Sequence, residues 1–313
     1  MSLFQQRLLF VVGKGGVGRT TVALTVAIAA SLRGQRVGLL ELYGNNEVGR
    51  HYGLAERSYA PRQLVPGVQT QSLTPYECLD DFGRQKLKVG ALVKVLFNNR
   101  VFHAFVDAVP GLHDLFQLGK VNNLVVNPHR SDPVYDLIVI DAPATGHGLT
   151  LLDAAGSMSD MVGGGLVGDE ANEMKELLHD PGRTGLILAT LPDELPVNES
   201  LELVESLGAR KEQLIGAVVN QVRDLDTPAA PPWATLRDRI DDPALRDVGD
   251  ELTALADRQR RACAKLAAEL SPMAGHNVPI IELPRIEPQE LRPTDLPVLA
   301  RIFAEAYAVG GRP

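Results

Sequence analysis

"FVVGKGGVGRTT", Phe10 to Thr21, decides how this chain folds. The apolar run "RLLFVV", Arg7 to Val12, ends at a glycine, and "TTVALTVAIAASLRG", Thr20 to Gly34, then carries helix formers to a glycine stop. Between them Gly13, Gly18 and Thr20 fit the pattern G-x-x-x-x-G-K-[ST], with Arg19 in the lysine slot. Gly13, Gly15, Gly16 and Gly18 let backbone N–H groups turn inward around phosphate oxygens, and the helix that follows aims its positive end at them. The Thr20 hydroxyl is placed to ligate Mg²⁺ between the phosphates. A glycine turn that merely packs a helix on a sheet does not explain four glycines, a basic residue and a hydroxyl at this spacing. The loop, including Val17 and Thr21, therefore predicts a nucleotide site. Arg19 qualifies it. A lysine ammonium is a compact point charge and a guanidinium a broad planar fork, so binding is expected to survive better than turnover.

Outward from the loop, "QRVGLLEL" reads as a second buried strand. "YDLIVID" (Tyr135 to Asp141), "TGLILAT" (Thr184 to Thr190), "LIGAVVNQV" (Leu214 to Val222) and a short "NVPIIELP" (Asn277 to Pro284) follow the same pattern. Near-continuous apolar strands belong to parallel sheets covered on both faces. Helices are expected at "NESLELVESLG", "GDELTALADRQRRACAKLAAEL" and "PTDLPVLARIFAEAYAVGG". The fold class is α/β: a P-loop NTPase with a mostly parallel central sheet flanked by helices, one domain over residues 1–313. Residues of approximately 68–130 and 148–180 are patchily helical and are expected to form a helical lobe inserted in it. Cys263 sits on a helical face of small apolar residues and reads as a buried core cysteine.

With 45% hydrophobic and 22% charged residues the composition is that of an ordinary soluble protein. A net charge of -8 argues against nucleic acid as a partner. Cys78 and Cys263 stand outside any CxxC pair and support neither a disulfide framework nor zinc. The start lacks a secretory signal, and no stretch reaches the roughly 18 apolar residues of a membrane span. The expectation is a cytoplasmic protein without an integral membrane segment, with peripheral association left open.

Lys14, ahead of the glycines, gives the loop its deviant form. With it the chain resembles the family of arsenite-pump ATPases, tail-anchored-membrane-protein targeting ATPases and septum-positioning ATPases. "DAPATGHGLTLLD", Asp141 to Asp153, looks like the second switch of the arsenite-pump and targeting branch. "ATLPDELPVNESLELVESLG" is similar to the segment that follows it there, "VVNQV" to its adenine-side strand, and "LPRIEP" to the loop closing over the base. The matches run from about residue 8 to 290, and the lobe looks closest to bacterial members that occur as paired, non-identical subunits.

The resemblance implies ATP/ADP and Mg²⁺ as cofactors, and a nucleotide-sandwiched homodimer or heterodimer with a paralogue. It gives Lys14 a reach to the partner's phosphates, Asp141 a place on Mg²⁺ or in the switch, and Asn220 and Pro284 the adenine side. An aspartate closing an apolar strand beside a phosphate loop is also the expected acidic partner of Mg²⁺ on chemistry alone. Asp141 as an ordinary strand-end carboxylate and Asn220 as a cap on local backbone are the plain alternatives. His147 reads as orienting the switch rather than ligating metal.

The first switch departs from the family pattern. In "LLELYGNNEVG", Glu41 takes the first acidic position, while Tyr43 takes that of the water-orienting acid. A phenol is no general base at neutral pH, and Glu47 lies out of register. The expected function is therefore an ATP-binding dimeric ATPase that couples nucleotide state to a client or partner. Its turnover of ATP and water to ADP and phosphate is expected to be weak or partner-dependent. The alternative is a nucleotide-holding, non-enzymatic subunit beside an active paralogue. A third reading, a binder of hydrophobic protein segments, requires an exposed apolar groove near Val93 to Phe116. Met158, Met161 and Met174 read as core packing ahead of a client groove.

Overall fold

The structure, a computed structural model, describes residues 3–86, 104, 106–109, 111–126, 134–142, 151–152, 165–223, 233–286 and 291–310. The chain opens with β1 (Leu8–Val12), α1 (Arg19–Leu32), β2 (Val37–Glu41) and α2 (Glu47–His51). A hairpin of β3 (Arg62–Val65) and β4 (Val68–Ser72) leads into α3 (Pro75–Lys86) and α4 (Leu112–Val126). Then come β5 (Leu137–Asp141), α5 (Gly165–His179), β6 (Thr184–Thr190), α6 (Glu194–Ser206) and β7 (Leu214–Val222). The last elements are α7 (Trp233–Arg237), α8 (Pro243–Ala274), β8 (Ile280–Pro284) and α9 (Leu296–Gly310).

The strands form one sheet in the order β3-β4-β2-β5-β1-β6-β7-β8. Every pairing is parallel except β3 with β4. Alternation sends Leu9, Val11, Leu39, Val139 and Ile187 to the face covered by α1 and α9. Leu8, Phe10, Leu40, Ile140 and Leu188 go to the face covered by α3, α4, α5, α6 and α8. Both faces are dry, which is why β1 and β6 read as unbroken apolar runs. From β1 the chain passes over to β2, and β5 later fills the gap between them. That leaves a crevice at the carboxyl ends of β1 and β5, where ligands bind open α/β sheets.

Several expectations need correcting. Residues 68–72, placed at the start of the lobe, are a sheet strand, and the helices begin at Pro75. The hairpin's half-polar strands carry a weak pattern, and the turn at Pro66–Gly67, with Gly67 at φ 80, is what joins them. The helix expected from Gly249 starts at Pro243, and Cys263 on it is half-buried rather than fully enclosed. Val106, Leu112, Leu115 and Phe116 are buried in the core, so that part of the supposed groove is packed shut. Met174 is also buried. Val93, His147, Met158 and Met161 lie outside the described residues. No described helix is long and apolar enough to cross a membrane.

Candidate functional site

The loop after β1 is shaped by close approaches. A Cβ on Gly13 would lie 2.4 Å from the Ala189 carbonyl oxygen at the end of β6, so only glycine lets the backbone pass. Gly18 has φ 83, and a Cβ there would meet Asn220 Nδ2 at 2.2 Å. Gly18 precedes α1 without a side-chain cap, which leaves the first N–H groups of the helix to other acceptors. Gly15 and Gly16 are exposed and Lys14 is half-exposed, while Val17 is buried and anchors the loop.

Register brings the acids to this loop. Asp141 stands opposite Val11 on one side and opposite Glu41 on the other. Thr20 Oγ1 donates to Asp141 Oδ2 at 2.6 Å, and Arg19 Nη1 donates to the Ala142 carbonyl at 2.8 Å. Two adjacent side chains of α1 thus hold the end of β5, where the second-switch stretch begins. Burial raises the Asp141 carboxyl to about 6, against the Thr20 hydrogen bond and the Arg19 charge. Burial also lowers the Arg19 guanidinium, opposed by Asp141 and Glu47. Thr20 and Asp141 present adjacent hard oxygen donors of the kind Mg²⁺ takes, and a cation there would relieve the desolvated carboxylate.

Glu41 is 2% exposed, and its Oε1 accepts from the Val48 N–H at 3.0 Å, tying α2 to the end of β2. Burial raises its carboxyl to about 7, with the neighbouring Asp141 charge adding to the rise. Glu47 is exposed and pairs with Arg50 at 3.2 Å, yet its charge reaches Arg19, Glu41 and Asp141. Tyr43 turns away from that chemistry. It holds φ 63, and its hydroxyl donates to Asp114 on α4, which with burial raises the phenol.

At the other side of the loop a pocket of about 100 Å³ is lined by Thr21, Asn220, Gln221, Pro284, Arg285 and Leu291 among others. Asn220 Nδ2 donates to the Val17 carbonyl at 3.0 Å, so its amide braces the loop as well as walling the pocket. Gln221 holds φ 59, a left-handed backbone at a strand end. The structure therefore gathers Gly13 to Thr21 and Asp141 at one crevice, with Asn220 and Pro284 in the adjoining pocket. Sequence reasoning missed Gln221, Arg285 and Asp114. Asp114 lies 71 residues from Tyr43, and nothing local announces the pair.

Residues 6–164 match the family model described as anion-transporting ATPase. "ATPase BagA" of Mycobacterium tuberculosis is 33% identical over 230 residues, covering 68% of this chain and 64% of that protein. An "Arsenical pump-driving ATPase" of Acidiphilium multivorum is 25% identical over 247 residues, 72% of this chain and 42% of the relative. An "ATPase ASNA1 homolog" of Entamoeba dispar is 23% identical over 252 residues, 68% and 76% of the two chains. The chain spans just under two thirds of the length of its mycobacterial relatives. On the sheet order, the loop geometry and these matches, the chain belongs to the anion-transporting ATPase family of P-loop NTPases.

Proposed function

We propose that this chain is an ATP-binding, dimer-forming ATPase subunit whose nucleotide state is transmitted through the second switch to a partner or protein client. The observation that carries the reading is the pair of bonds from α1 to the end of β5: Thr20 to Asp141 and Arg19 to Ala142. Any change at the phosphates is felt by Thr20 and Arg19 and passes directly to that strand end. Mg²⁺, when bound, supplies charge neutralisation of the phosphates. Thr20 and Asp141 would hold it, the loop N–H groups would receive the phosphates, and Lys14 would reach across a dimer interface. Thr21, Asn220 and Pro284 would seat the base.

A second reading, a subunit that holds nucleotide and hydrolyses it poorly or not at all, is favoured by one observation. Tyr43 stands where the family's water-orienting acid is expected, and its hydroxyl is committed to Asp114. The test is phosphate release by the purified protein, alone and with its nearest paralogue, against Arg19→Lys and Tyr43→Asp. Both substitutions are expected to raise turnover, about tenfold or more for Tyr43→Asp if the missing acid is the limit. Wild-type turnover abolished by Asp141→Ala would sink the non-enzymatic reading. ATP binding without turnover in either mixture would sink the ATPase reading.

A further inference from the structure

Strand β7 carries one residue too many where it reaches the crevice. Val219 stands opposite Glu282 and Val222 opposite Pro284, so three steps on β7 face two on β8. The extra residue makes a β-bulge, and bulges beside active sites re-aim side chains. Gln221 sits in it at φ 59, a left-handed backbone that costs free energy for any residue with a Cβ. The bulge also shifts the phase of the strand. Val219 and Val222 pack on the same core, although regular alternation would put residues three apart on opposite faces. Between them the consecutive residues Asn220 and Gln221 line one pocket. A regular strand would send those two side chains to opposite faces of the sheet.

Pro284, Ile286, Leu291 and Leu299 give that pocket apolar walls. Apolar walls with two amides suit a heteroaromatic base, which has apolar faces and a polar edge. The two amides are not equivalent. Asn220 is 3% exposed and donates its NH₂ to the Val17 carbonyl at 3.0 Å, which leaves its oxygen to accept. That oxygen suits an exocyclic amine and cannot serve the lone pair of a ring nitrogen. Gln221 is half-buried and its side-chain amide bonds to no described residue, so its donor is uncommitted.

We propose that Gln221 is a base-reading residue: its NH₂ donates to the ring nitrogen beside the exocyclic amine that Asn220 receives. Together the two amides read the donor–acceptor edge of adenine. The left-handed backbone is retained because it brings the second amide to the first. This role rests on the nucleotide reading proposed above and assigns a contact which that reading leaves out.

Isothermal titration of the full chain with ADP, which needs no hydrolysis, tests it. Gln221→Gly removes the amide and adopts φ 59 without strain. It should weaken ADP binding about three- to tenfold, the worth of one hydrogen bond. The melting temperature of the free protein should not fall. Wild type should lose a similar factor with 1-deaza-ADP or 7-deaza-ADP, whichever lacks the ring nitrogen that Gln221 reaches. Gln221→Gly should bind that analogue and ADP alike, since the contact is already gone. Equal ADP affinity in the two proteins, a penalty for neither analogue, a penalty that persists in Gln221→Gly, or a lower melting temperature would each overturn the role of Gln221. All four leave the nucleotide reading standing. Failure of wild type to bind either ADP or ATP would overturn both.

Discussion

Glu41 shows what a single buried carboxylate imposes on this site. It keeps its proton to about pH 7 in the fold, against an ordinary value of 4.5. Between those values the folded state binds more protons than the unfolded chain, so stability falls as pH rises through the window. Below the window the protonated carboxyl costs little, and above it the desolvated charge is borne in full. Melting temperature should therefore drop from about pH 5 to about pH 8. Glu41→Gln keeps an oxygen for the Val48 N–H and should flatten most of that slope, gaining on the order of 1 to 3 kcal/mol at the alkaline end. A residual slope of the same sign should remain from Asp141, raised to about 6. If the substitution leaves the slope untouched, Glu41 is not its source. At this scale the sequence yielded Gly13 to Thr21 and Asp141 because one local motif and one strand end carry them. The protonation state of Glu41 was not legible, because it depends first on how deeply the fold buries the end of β2 and then on Asp141 brought alongside by sheet register.

At the scale of elements, α7 and α8 form a small unit whose seam is a single glycine. A Cβ on Gly249 would stand 2.1 Å from the Trp233 ring. The Trp233 indole donates to Asp250 Oδ1 at 2.7 Å, and Arg237 Nε donates to the same carboxylate oxygen at 2.9 Å. Gly249→Ala should push the ring off the helix and cost about 1 to 3 kcal/mol, as overpacking does. The protein has one tryptophan, so a red shift of its emission reads this displacement directly. Unchanged emission would mean that α7 is held by the Asp250 bonds alone. The start of α8 was expected six residues late, at Gly249, although Asp242 caps it by accepting from the Ala244 N–H at 2.9 Å with Pro243 in the first turn. That signal sits inside a polar, proline-rich run that reads as loop. The contact between Tyr43 and α4 belongs to the same scale, joining the end of β2 to a helix 71 residues further along the chain.

At the scale of the molecule, the site exists only because β1, β5, β7 and β8 end at one edge of the sheet. Ligand binding there should stabilise the whole fold. Mg²⁺ with ATP at about 100 times its Kd contributes roughly 2.7 kcal/mol, a melting shift of a few degrees. Asp141→Ala removes a desolvated carboxylate and should raise the stability of the free protein while abolishing the increment that Mg²⁺ adds to ATP. An increment that survives the substitution would take the metal away from Asp141.

The sequence by itself determined the class of fold, the phosphate loop and its strand and helix, and the central strands. Each is encoded by neighbours in the chain: apolar runs that must be buried on both faces, and glycines where a side chain would collide. Only the tertiary structure decided that Tyr43 is bonded to Asp114, that Asn220 braces the loop through Val17, and that Glu41 and Asp141 share one edge. These are contacts between distant residues, fixed by strand order and register, and a linear pattern carries no information about which strand end will lie beside which.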